Sequence, residues 1–227
     1  MNYPIVLFDL DHTLLDSNAS EQAAFALTMQ SVGVAPTDET FEVYDGINQA
    51  LWRQVEAGEI TPHDVKVRRF ERLLDRLGAQ GDPIEMGATF VRGLTDHGDL
   101  YPGVGGLLDS IAGRSRLGLV TNGIGPVQRG RLDRLDIARY FEVVSVSGEL
   151  AMSKPARAIF DHTLAELGVT DRADVVMIGD SLSSDIAGGA NAGIDTIWFN
   201  QHGAPQGASV PTHEAGSLAA IADLLVS

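Results

Sequence analysis

Two rhythms of hydrophobicity divide the chain. Between about residues 20 and 96, apolar side chains recur every three or four positions. Phe41, Tyr44, Ile47, Leu51 and Val55 make one stripe, and Val65, Phe70, Leu73 and Leu77 make another; this is the period of amphipathic helices. Thr61-Pro62-His63-Asp64 opens the second helix, with Thr61 as N-cap, Pro62 at the first helical position and Asp64 closing a capping box. Gly78 is placed to end that helix. Asp82-Pro83 repeats the start signal ahead of Met86, Phe90 and Leu94. With residues 21–32, the segment predicts about four helices and no strand. Elsewhere short apolar runs, at 5–8, 117–120, 142–146, 174–178 and 196–199, are separated by helical stretches at 104–112, 126–135, 155–167 and 184–192, and a last helix is expected over 217–225. Strands alternating with helices of this length predict βαβ units and a parallel sheet. The Gly/Pro-rich stretch 202–211 reads as a loop.

The expected architecture is therefore α/β: a Rossmann-like parallel sheet of five main strands with helices on both faces. Residues 1–16 and 97–227 form this core, interrupted after its first strand by a four-helix insert over 17–96. The chain has 227 residues, 44% hydrophobic and 21% charged, the composition of a globular protein with room for a large domain or a core plus a smaller one. Its formal net charge of −15 repels nucleic-acid polymers and anionic membranes but leaves room for a small phosphorylated metabolite in a local pocket. Cysteine is absent, which excludes disulfides, thiolate metal sites and cysteine nucleophiles. No apolar stretch reaches membrane-spanning length and no basic leader precedes the first strand, so a cytoplasmic protein is expected. Monomer and homodimer both remain open.

In a parallel sheet, ligands bind beyond the carboxyl ends of the strands. The first strand ends in Asp9-Leu10-Asp11, the second in Thr121-Asn122-Gly123, and the third leads to Ser153-Lys154-Pro155. The fourth ends in Gly179-Asp180-Ser181, with Asp185 shortly after. Taken singly, these are turn and cap residues. Together they bring carboxylates, a lysine and a hydroxyl to one edge. Asp9, Asp11 and Asp180 offer only hard oxygen ligands, which suit Mg²⁺. Thr121 and Lys154, with backbone N–H groups near Asn122 and Gly123, can hold phosphoryl oxygens. Asp9 can then attack phosphorus to form an acyl phosphate, and Asp11 can protonate the leaving oxygen.

The chain resembles the haloacid dehalogenase-like (HAD) hydrolases, whose four motifs occur in order as Phe8-Asp9-Leu10-Asp11-His12-Thr13-Leu14, Val120-Thr121-Asn122-Gly123, Lys154-Pro155 and Gly179-Asp180-Ser181 through Asp185. The resemblance implies Asp9 as nucleophile, Asp11 as general acid/base, and Thr121 and Lys154 as phosphate ligands. It further implies Mg²⁺ on Asp9, Asp180 and the Asp11 carbonyl, Asp185 as an outer-shell acid, and the helical insert as a cap over the substrate. An acid two residues after the nucleophile accompanies the phosphatases of this family and not its dehalogenases. The run 124–141, the stretch 179–193 and Leu51-Trp52-Arg53 through Thr61 look like the pyrimidine 5′-nucleotidase branch. That implies hydrolysis of nucleoside 5′-monophosphates. Phosphatases of N-acylneuraminate 9-phosphate, phosphoglycolate or sugar phosphates share much of the pattern. A non-catalytic phospho-acceptor module or a phosphomutase are the remaining readings.

Specificity is expected from the cap. Arg68, Arg72 and Arg76 share a helix face and read first as solvated partners of Glu71 and Asp75. Trp52 or Phe25 could stack on a base, or lie in the core. His12 is near enough to influence the site.

Overall fold

The computed structural model describes residues 2–226. Strand β1 (Ile5–Phe8) is buried along its whole length and sits at the centre of a parallel sheet. It pairs with β2 (Arg116–Thr121) on one side and β4 (Val175–Gly179) on the other. β3 (Val143–Val146) lies outside β2, and β5 (Asp195–Phe199) and β6 (His213–Ala215) lie beyond β4, giving the order β3-β2-β1-β4-β5-β6. Val6, Phe8, Leu117, Leu119, Val176 and Ile178 fill one face of the sheet, and Ile5, Leu7, Val120, Val175 and Met177 fill the other. The continuous apolar runs follow from this: in a sheet covered on both sides, alternate residues are buried alternately above and below.

Five strands match the sequence expectation; the sixth is a correction. β6 has three residues, His-Glu-Ala, two of them polar and not fully buried, so neither alternation nor an apolar run marked it. Helices α5 (Val104–Ile111), α6 (Gly125–Arg134), α7 (Ser147–Leu150), α8 (Arg157–Glu166), α9 (Ala187–Ala192) and α10 (Leu218–Val226) complete the sheet layers. Where a helix over 184–192 was expected, the chain makes a π turn at Leu182–Ile186 before α9 begins.

Helices α1 (Ser17–Ser31), α2 (Asp38–Glu56), α3 (Pro62–Leu77) and α4 (Pro83–Asp96) follow β1. They share an apolar cluster that includes Phe25, Tyr44, Phe70, Leu73, Met86 and Phe90. The expected box at Thr61 and Asp64 forms, and Gly78 adopts φ 61° as the left-handed cap of α3. α1 starts at Ser17, four residues before the apolar signal. The two ends of this helical segment meet: the Asp16 amide donates to the Asp99 carbonyl and the Tyr101 amide to the Leu14 carbonyl, both at 2.9 Å. No helix among the described residues is long and apolar enough to cross a membrane.

Candidate active site

The parallel strands deliver their carboxyl ends to one edge, facing a cleft of about 820 Å³ whose opposite wall is formed by α1 and α2. Asp9, the first residue past β1, is buried there. Its Oδ1 accepts a 2.6 Å hydrogen bond from Lys154 Nζ, which also donates to Asp185 Oδ1 at 2.7 Å. The lysine and Asp185 are buried with it. Burial favours the neutral lysine, but the two flanking carboxylates outweigh it and hold the ammonium charged well above its ordinary pKa. Burial is also what raises Asp9 most strongly; Lys154 opposes it, and Asp185, Asp180 and Asp11 add to it.

Asp180, at the end of β4, is pushed up to about 7 by burial and by Asp185, against Lys154. Its backbone anchors it: the Asp180 amide donates to Thr13 Oγ1 at 3.1 Å and its carbonyl accepts from Trp198 Nε1 at 2.8 Å. One oxygen from each of Asp9, Asp180 and Asp185 lies within 4.8 Å of the others. Fully ionised, three carboxylates against one lysine carry a net negative charge, and every donor is a hard oxygen, so these residues fit a divalent cation of the Mg²⁺ class.

Three features of this edge were not read from the sequence. The compact carboxylate trio contains Asp185 in place of Asp11. Asp185 is fully buried, its Oδ2 accepting from the Ser181 amide at 3.0 Å. The Asp11 carboxylate is bound elsewhere, by Ser17 Oγ (2.5 Å), Gln128 Nε2 (2.6 Å) and Arg131 Nη1 (2.7 Å). Burial alone would raise its pKa, but Arg131, Ser17 and Gln128 together hold it below the ordinary carboxylate value. Finally, of the backbone N–H groups near Asn122 and Gly123 that were expected to face a phosphate, the Gly123 amide is committed to the protein, and so is the Asn122 side chain. Asn122 Nδ2 donates to the Lys154 carbonyl and its Oδ1 accepts from the Lys154 amide, each at 2.9 Å. The Gly123 amide donates to Ser147 Oγ at 3.0 Å. The Asn122 carboxamide thus clasps the loop that carries Lys154. Thr121, at the end of β2, is buried, and its Oγ1 accepts from Gln128 Nε2 at 2.8 Å.

Sequence reasoning passed over Gln128 and Arg131, although both follow the Thr-Asn-Gly motif by less than three helical turns. They stand three residues apart on α6, a spacing that puts them on one face. Arg131 also donates from Nε to the Leu94 carbonyl and from Nη2 to Ser20 Oγ, both at 2.9 Å. A single guanidinium therefore ties Asp11 to α1 and α4.

In the helical segment, Phe25 lies in the aromatic core, 5.1 Å from Tyr44 and 5.2 Å from Phe41 between ring centroids. Trp52 borders the cleft. Arg72 and Arg76 are exposed, and Arg68 pairs with Asp64. Arg69, which none of these readings considered, is 2% exposed and borders the cleft. It donates to Tyr44 Oη at 3.0 Å and stacks over Phe90. Its position four residues after Val65 and four before Leu73 places it on the buried stripe of α3.

A buried carboxylate–lysine–carboxylate cluster at the carboxyl edge of a Rossmann-like sheet, beneath a helical layer inserted after the first strand, is the fold and site of an α/β hydrolase. The chain belongs to the haloacid dehalogenase-like hydrolases: the family's sequence profile matches residues 6–199. It is 36% identical to pyrimidine 5′-nucleotidase PynA of Streptococcus pneumoniae, over 99% of this chain and 96% of the relative. Identity to pyrimidine 5′-nucleotidase YjjG of Escherichia coli is 34%, over 99% of each. Among solved structures, the magnesium-bound HAD-hydrolase YfnB of Bacillus subtilis superposes with a TM-score of 0.92 at 31% identity, over the full length of both chains.

Proposed function

We propose that the protein is a Mg²⁺-dependent phosphomonoesterase that hydrolyses nucleoside 5′-monophosphates through a phosphorylated Asp9. The observation that carries the reaction is the placement of Asp9. It is a buried carboxylate at the tip of the central strand, with one oxygen on Lys154 and two further carboxylates within ligand distance. Full-length similarity to two proteins named pyrimidine 5′-nucleotidases supports the substrate class.

Asp9 attacks phosphorus as the ester P–O bond breaks, and Asp11 gives the departing alkoxide a proton. Water then attacks the acyl phosphate, with Asp11 taking its proton, and Asp9 and inorganic phosphate are released. Lys154 neutralises Asp9 and the incoming phosphoryl oxygens, while Thr121 supplies a hydroxyl. A Mg²⁺ ion on Asp9, Asp180 and the Asp11 carbonyl, with Asp185 beside them, would neutralise phosphoryl charge and admit the anionic substrate. Asp11 is anchored and ionised by Arg131, Gln128 and Ser17. To act as an acid it must part from some of these donors when substrate binds.

The test is turnover of uridine and cytidine monophosphates, sugar phosphates and phosphoglycolate, ranked by kcat/KM, together with Asp9→Asn. We expect nucleotides to rank first and the variant to lose at least about 10⁴-fold in kcat with its fold intact. Full activity in Asp9→Asn or in excess chelator would overturn the mechanism. A sugar-acid phosphate ranking above every nucleotide would overturn the substrate class.

A further inference from the structure

The wall of the cleft opposite Asp9 carries a polar group that the reaction described above does not use. Asn48 interrupts the apolar stripe of α2 between Tyr44 and Leu51. It is 5% exposed and borders the cleft. Its Nδ2 donates to Glu21 Oε1 at 2.8 Å. Its Oδ1 is buried and, among the described residues, has no hydrogen-bond partner. Exchanging the two ends of the carboxamide would set an oxygen against the Glu21 carboxylate and leave the amino group unpaired, so the neighbour fixes the orientation.

Glu21 is itself held in place. Its Oε1 also accepts from Tyr44 Oη at 3.4 Å, and Tyr44 is bound in turn by Arg69. Burial raises the Glu21 carboxyl, and the Arg69 charge opposes that rise. Tyr44 belongs to the aromatic core of the helical segment and Arg69 stacks over its Phe90, and Glu21 and Arg69 border the cleft with Asn48. A rigid support thus holds a bare carbonyl oxygen in a residue of the cleft wall. Such an arrangement costs stability unless the oxygen is used.

We infer that Asn48, oriented by Glu21, is a specificity-determining residue whose Oδ1 accepts a hydrogen bond from an N–H or O–H on the leaving group of the phosphate ester. For a pyrimidine nucleotide the donor is either an imide or amino N–H of the base or a ribose hydroxyl; the chemistry is the same, and the experiment separates the two. The inference rests on the phosphomonoesterase reading and deepens it. A site built to bond a donor rejects an analogue that lacks it, because the buried acceptor is then left unpaired.

The experiment compares kcat/KM for uridine 5′-monophosphate with its N3-methyl and 2′-deoxy analogues, and for any hydrolysed sugar phosphate with its deoxy analogues. Each ratio is measured in the native enzyme, in Asn48→Ala and in the apolar near-isostere Asn48→Leu. We expect the native enzyme to disfavour one analogue by about 10- to 100-fold, and both variants to bring that one ratio close to unity, mainly through KM for the parent substrate. The analogue whose penalty disappears identifies the donor. A residue that merely supports the fold would slow all substrates alike and leave the ratios in place. Turnover with native ratios retained in either folded variant therefore overturns this assignment alone. Hydrolysis of no phosphate ester at all overturns the phosphomonoesterase reading with it.

Discussion

Gly179 ends β4 at a point where a Cβ atom would stand 2.2 Å from Asp185 Oδ2. A side chain there would occupy the space of the carboxylate that holds Lys154. Gly179→Ala is therefore expected to displace Asp185 and cut kcat by about 100-fold, out of proportion to the one methyl added. Steady-state kinetics beside a thermal melt would detect it, and native kcat would show that the carboxylate has room to retreat. Lys154 is the complementary case. Replacing it by Met leaves Asp9 and Asp185 buried without their counter-charge, and loss of one partner of a buried pair costs about 3–5 kcal/mol. For a chain of this length that corresponds to a fall in Tm of about 10 °C in chelating buffer, and an unchanged Tm would contradict the charge balance drawn here. The identities of these residues were plain in the chain, but their pairing was not. Asp185 reads equally well as a cap of the short helix that follows β4.

Helix α6 connects the reacting edge of the sheet to the helical segment. Its Arg131 reaches Asp11, the Leu94 carbonyl on α4 and Ser20 on α1 at once, so the posture of the helices and the state of Asp11 share one guanidinium. Arg131→Met should raise the Asp11 pKa, since Arg131 leads the influences that lower it against burial. Where protonated Asp11 is the acid, the alkaline limb of the kcat–pH profile moves to higher pH, and stability falls by about 3 kcal/mol. A limb that stays in place would remove Arg131 from control of Asp11. Helix periodicity located α6 without difficulty. It carries few strongly apolar residues, however, and its polar face was bound to read as solvent-facing until the helical segment was seen packed over it.

Across the whole molecule, the concentration of carboxylates at one sheet edge makes stability depend on pH and on cations. The Asp180 carboxyl rises from its ordinary 3.8 to about 7 in the folded protein. Folding thus favours its protonated form. That contribution is fully present below about pH 4, fades as pH climbs, and is gone once pH has passed about 7; Asp9 shifts in the same direction. In chelator, these groups are expected to lower Tm as pH rises from 5 to 8. A divalent cation competes with protons for the same oxygens. The Tm gain from added Mg²⁺ should therefore widen over that interval, as thermal melts with and without the ion would record. A gain independent of pH would disconnect the ion from this cluster.

The strand tips were legible because they depend on local features. A short apolar run that stops at a polar motif marks the carboxyl end of a buried strand, and a parallel sheet sends every such end to the same edge. Asp9, Thr121, Lys154 and Asp180 could be collected on that rule without coordinates. Which carboxylate meets which cation could not. Asp9 and Lys154 stand 145 residues apart, and Asp11 and Arg131 stand 120 apart. Such contacts depend on strand order, on the direction each side chain leaves its backbone, and on the closure of the helical segment over α6. Asn48 shows the same division. Its place in an apolar stripe was visible along the chain, but its unpaired oxygen depends on the tertiary structure: Glu21 takes the amide nitrogen, and no donor among the described residues is folded against the oxygen.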